Sequence, residues 1–174
     1  MNPLEEGSAV KIDVRIENLP PMRVARFHKF GPSPEPAAWA ELRAWAEPRG
    51  LLNDAAAHPV FGFNNPSPAV GREDYGYEFW IRIDPETVVD ADIETLDFPG
   101  GWYAVTTLRG PPSPGIWMQL LESVGSGSQH YRRTHELERP HNPLAPVSEM
   151  VFDLYLPVEE PATAPGPRAS GGTP

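Results

Sequence analysis

No cysteine occurs among the 174 residues. That absence excludes a disulfide framework and a thiolate-held metal site, and it fits a reducing cytoplasm. Positive charge is scarce: 14 Lys and Arg stand against 24 Asp and Glu, a formal net charge of -10 at pH 7. Nucleic-acid affinity comes mostly from neutralising phosphates. The one basic couplet, Arg132-Arg133, is closely followed by acids, so direct nucleic-acid binding is not expected. Long apolar runs are missing too; none approaches the ~20 residues of a membrane-crossing helix, and no membrane partner is expected. No basic segment leads into an apolar one at the start, as a secretion signal would require. The G-x-S-x-G elbow of serine hydrolases is also absent. The stretch GSGSQH, Gly125–His130, follows a helical pattern instead of preceding one, the wrong order for a phosphate loop. His130, His135 and His141 crowd near Glu136 and Glu138, but without metalloprotease spacing. Neither a metal nor a cofactor is expected.

What is present reads as one folded unit. The length suits a single domain with a real core, and 40% of the residues are hydrophobic. Residues 159–174, EEPATAPGPRASGGTP, are rich in Pro, Gly, Ala and Ser and read as a disordered tail. Residues 1–9 read as a flexible N-terminus, which leaves 10–158 as the folded part.

Inside it lies an internal repeat. Leu19–Trp45 resembles Phe98–Val124: Pro20 matches Pro99, Ala25 matches Ala104, Gly31 matches Gly110 and Leu42 matches Leu121, each pair 79 positions apart. In both copies a strand-like run (Arg23–Phe30, Trp102–Arg109) ends in Gly-Pro. A Ser-Pro pair follows, Ser33-Pro34 or Ser113-Pro114, suited to helix starts. Helix-spaced apolars come next: Trp39, Leu42 and Trp45, then Trp117, Leu120, Leu121 and Val124. Gly50 and Gly125 stand where those helices are expected to stop. Two further strands are expected in each half: Val60–Phe63 and Tyr77–Ile83, then a segment near His130–Glu138 and Val151–Val158. The fold class is therefore α+β, with two pseudo-symmetric β-α-β-β repeats, about 10–84 and 90–158. They join into one antiparallel sheet with both helices on one face and a groove between the halves.

Aromatic residues crowd the expected strands. Alternation puts Tyr77, Phe79 and Ile81 on one face of their strand and Glu78, Trp80 and Arg82 on the other. A sheet covered on one side only is normally polar on the other. Large rings on both faces, with Glu78 beside Trp80, suggest a groove for a flat apolar or cationic ligand. Glu78 and Glu138 sit near the centre of each half, where a carboxylate among rings can pair with a cation or move a proton.

The stretches VFGFNNPSP, YGYEFWIRI, DFPGGWYAVTTLRG, IWMQLLESV and VFDLYLPV resemble the GyrI-like small-molecule-binding domain, the effector-binding domain of AraC-type regulators. The likeness runs over about 10–158. It implies two β-α-β-β halves around a groove that takes a bulky aromatic compound, often cationic, on stacked rings and a buried Glu. The matching motif, HELERPHNP, gives that role to Glu138, with Glu136 and His135 as rivals. Pro140 and Arg132-Arg133 depart from the family pattern. No helix-turn-helix precedes the first strand, so a stand-alone effector-binding protein for sensing or detoxification is expected, with homodimer formation left open. The resemblance also implies an alternative, a hydrolase that opens cyclopropane rings of DNA-alkylating natural products. Glu138 would be its general base, and Tyr77 or Tyr103 would stabilise the phenolate. A third reading is a protein module inhibiting a DNA topoisomerase. Alongside Glu138, Tyr77 and Tyr103, the candidate ligand-binding residues are Glu78, Phe63, Trp80, Trp102, Trp39, Trp117 and His135.

Overall fold

Eight strands and two helices follow one another in a computed structural model that describes residues 11–162. They are β1 (Arg15–Leu19), β2 (Met22–Gly31), α1 (Glu35–Ala46), β3 (Val60–Asn64), β4 (Tyr75–Ile83), β5 (Glu94–Phe98), β6 (Gly101–Arg109), α2 (Pro114–Ser126), β7 (Leu137–Pro140) and β8 (Val151–Pro157). The expected flexible segment 1–9 and residues 163–174 of the expected tail lie outside the described residues. No helix among the described residues is long and apolar enough to cross a membrane.

The repeat is real and reaches further upstream than the sequence comparison did. Each half carries one strand more than expected, ahead of the β-α-β-β unit. Arg15–Leu19 maps onto Glu94–Phe98 with the same spacing that relates β2 to β6 and α1 to α2. The cap positions keep this spacing, Pro34 before α1 and Ser113 before α2. Ser33 therefore stands one residue outside its cap, and neither serine makes a side-chain capping bond. Gly50 does break the chain after α1, in the left-handed region at φ 71. Gly125 instead lies within α2, which runs on to Ser126.

All strands pair antiparallel in one sheet of order β1-β6-β8-β7-β3-β4-β2-β5. The halves meet at β7 and β3, and each lends its first strand to the other's edge: β1 lies on β6, and β5 on β2. Only Pro20 and Pro21 separate β1 from β2, although these strands stand near opposite ends of the sheet. Two residues span only ~7 Å, so the sheet must curl until its ends meet, giving a half-barrel. The two interstrand links cross there. Gly100, at φ 72, passes so close to Leu19 and Pro20 that any Cβ would strike their backbone.

The curl gives the sheet two buried faces. On the concave face Phe61, Phe63, Trp80, Phe98, Tyr103, Leu137 and Tyr155 pack into a core without any helix residue. On the convex face α1 covers Ala25, Phe27, Val60, Ile81 and Ile83, and α2 covers Ala104, Leu154 and Leu156. α2 sits differently on its half. Leu42 is fully buried while its counterpart Leu121 is 44% exposed.

The stretch His130–Glu138 is mostly not a strand. Only β7 forms, preceded by a single bridge from Tyr131 to Val158. Pro140, which has no N–H for the ladder, closes β7.

Candidate functional site

Between α1 and α2 the convex face is left open over the seam of the two halves. The floor is made by β3 and β7, where Gly62 faces Glu138 in register. Tyr77 and Phe79 of β4 and Phe152 of β8 flank it, Glu35 and Trp39 of α1 form one wall, and Pro112, Pro140, Pro143, Val147 and Met150 close the rest. The cavity has a volume of about 430 Å³, within the range that holds a drug-sized molecule. Among the described residues, no Lys, Arg or His lines it.

Glu138 is half-buried at the floor, held by donors from both halves. The Tyr77 hydroxyl donates to its Oε2 at 3.1 Å, and the Trp117 indole N–H to its Oε1 at 3.4 Å. Burial pushes this carboxyl above the ordinary range. The bonds from Tyr77 and Trp117 pull it partly back, and the nearby Glu35 charge pushes it up further. Burial, and then the charge of Glu138, drive the Tyr77 hydroxyl well above its usual range, so it stays a donor.

Gly62 makes this arrangement sterically possible. A Cβ there would stand 2.7 Å from the Tyr77 hydroxyl and 2.9 Å from the Phe79 ring, so only glycine lets both rings cross the seam. Trp39 packs against Phe79 with centroids 5.5 Å apart and forms an apolar wall. On the same helix as Trp39, Glu35 accepts from the Tyr75 hydroxyl with both oxygens, at 2.7 and 2.8 Å. That bond pushes the Tyr75 hydroxyl up to about 12.

Of the ten residues singled out from the sequence, the structure gathers four here: Glu138, Tyr77, Trp39 and Trp117. Glu78, Phe63, Trp80, His135 and Tyr103 lie away from the cavity, on the concave side. The cavity thus does not open on the Glu78–Trp80 face, where the sequence suggests a groove. Rings occupy both faces of β4 because curling buries both, and the cavity opens on the Tyr77–Phe79 face. Glu78 is 2% exposed. It is clamped by Arg26 at 2.6 and 3.0 Å, Asn65 at 3.0 Å and the Trp80 indole at 2.6 Å. Burial pushes its carboxyl up, but these donors outweigh burial and the net shift is downward. His135 stacks on Phe63 with centroids 4.4 Å apart, capping the concave core. Arg132 lies over Tyr103, 5.3 Å from the ring. Trp102 faces the convex side but packs with the α2 core, outside the cavity lining. His141 is bound to Asp153 at 2.8 Å, so the three clustered histidines do not converge.

Sequence reasoning missed Glu35, Gly62 and the part that prolines play in the wall. Gly62, set between two Phe in a buried strand, did carry a signal, since glycine inside a strand marks a close approach. Glu35 carried none beyond the favour that acids find in a first helical turn.

Residues 15–158 match the family model described as Cass2, integron-associated effector binding protein. No curated protein sequence matches the chain. Among solved structures, the EcmrR C-terminal domain aligns with a TM-score of 0.60 at 13% identity, over 86% of this chain and 98% of that one. A hydrolase from Listeria innocua aligns at 0.60 and 14% identity, over 84% and 91% of the two chains. An integron cassette protein of Vibrio cholerae aligns at 0.50 and 11%, over 84% and 95%. At such identities the likeness speaks for the fold.

Proposed function

Since the chain belongs to the family of integron-associated effector binding proteins, with a GyrI-like fold, we propose that it captures a bulky aromatic cation in the cavity between its two helices. One observation carries this reading: Glu138 lines a largely apolar cavity in which, among the described residues, no basic side chain neutralises it. A carboxylate in that setting keeps its charge at a cost, and an organic cation entering the cavity removes the cost while burying its own rings. Each ring buried against Trp39, Phe79 and Phe152 contributes on the order of 1.5–3 kcal/mol. Trp39 and Trp117 are the natural reporters. Titration with an aromatic cation quenches their fluorescence saturably, while the neutral isostere of the same shape binds about 10-fold more weakly. Equal affinity for the two would overturn the assignment of Glu138.

The contact between Glu138 and Tyr77 favours a second reading, hydrolysis of a cyclopropane-bearing electrophile. A carboxylate with a raised pKa suits a general base. In this scheme Glu138 takes a proton from a water whose oxygen attacks the strained ring carbon. The electrons of the broken C–C bond pass into the conjugated system as a phenolate, which Tyr77 hydrogen-bonds before it is protonated. Mass spectrometry distinguishes the readings. The hydrolase yields a product heavier by one water, lost in Glu138→Gln, and the binding protein returns the compound unchanged.

A further inference from the structure

The cavity has two carboxylates, and their partners leave them facing the same missing chemistry. Glu138 receives the Tyr77 hydroxyl and the Trp117 indole N–H, and Glu35 receives the single Tyr75 hydroxyl. A carboxylate offers about four acceptor positions, so both acids keep free ones. The rest of the lining supplies almost no donors. Pro36, Pro112, Pro140 and Pro143 have no N–H; among the described residues no basic side chain is present, and the Trp39 indole is the one remaining side-chain donor. Glu35 stands in the first turn of α1 and Glu138 on β7, so the acids come from different halves. A monocation satisfies one and leaves the other to be desolvated beneath the ligand without a counter-charge.

Resting on the binding reading above, we infer that the preferred ligand is an aromatic dication carrying N–H donors at two positions, one for each carboxylate, and that Glu35 determines this specificity. An amidinium meets a carboxylate with charge-assisted hydrogen bonds. A quaternary ammonium has the charge but no donor, and leaves the acceptor positions unfilled.

Isothermal titration with three compounds on one diphenyl skeleton tests this: the bis-amidine, the mono-amidine and the bis-quaternary ammonium. The bis-amidine binds at least about 10-fold more tightly than either of the others. In Glu35→Gln, which still offers Tyr75 an acceptor, that advantage over the mono-amidine falls below about 3-fold. Equal binding of the three compounds by the native protein overturns the dication inference and leaves the binding reading standing. Loss of both amidines to the same extent in Glu35→Gln also overturns it, because Glu35 would then act through the fold. If none of the three binds, both readings fall.

Discussion

Three buried or half-buried acids have opposite titration behaviour, and the side chains around each decide which. Burial raises all of them. At Glu138 only Tyr77 and Trp117 oppose it, and the carboxyl stays raised; at Glu78 and Asp153 the donors win and the carboxyls are lowered. A raised folded-state pKa means that the native protein holds the proton more tightly than the unfolded chain. Stability is then lost as pH rises from the ordinary carboxylate range through the raised value. Glu138→Gln is therefore expected to raise Tm at pH 8 and to leave it unchanged near pH 4, as thermal scans across pH will show. The same substitution weakens cation binding, the usual conflict between stability and a functional charge. Tyr77→Phe removes a donor that lowers the Glu138 pKa. Cation affinity falls as Glu138 takes up its proton, so in this variant the midpoint of that fall moves to higher pH, measurable by fluorescence titration. Gly62→Ala puts a methyl where Tyr77 and Phe79 pass. It is expected to cost about 1–3 kcal/mol in chemical denaturation and to weaken cation binding by separating Tyr77 from Glu138.

At the scale of elements, the repeat was legible where strand, turn and helix share one spacing, and it faded where they do not. β2, α1, β6 and α2 could be read from matched punctuation, and β4 and β8 from aromatic runs. β1 and β5 could not. Arg15–Leu19 and Glu94–Phe98 are short, largely polar edge strands, and pairing with the opposite half rather than hydrophobic alternation makes them strands. Segment 130–136 failed for a related reason. Its tertiary contacts, His135 on Phe63 and Arg132 on Tyr103, hold it as a strap instead of a ladder. The Glu78 clamp is an element-level device, joining β2, β4 and the chain just past β3 through one carboxylate. Arg26 keeps Glu94 when Glu78 is lost. Glu78→Ala is nonetheless expected to destabilise the fold by about 3 kcal/mol, read from urea midpoints, with ligand affinity per folded molecule preserved.

For the whole molecule, curling explains the puzzle that two-faced aromatic strands pose. A flat sheet with helices on one side would leave the Phe63–Trp80 face open, and the rings there would call for a ligand. Closing the ends through the Pro20-Pro21 and Pro99-Gly100 links turns that face into core. The cavity is left on the convex side, where two helices fail to meet across the seam. Alternation along β4 separated its faces correctly, and the family resemblance pointed to Glu138, which lines the cavity. Which face opened depended on curvature, set by strand order between distant parts of the chain, and no local pattern reports that.

The central claim is that ligands enter between the helices and not beneath the strap. Calorimetric titration of one aromatic cation into Glu138→Gln and His135→Ala tests it directly, since the two substitutions act on opposite faces. The account predicts about a 10-fold loss of affinity in Glu138→Gln and native affinity in His135→Ala. Native affinity in Glu138→Gln together with loss in His135→Ala would put the ligand on the concave face and contradict it.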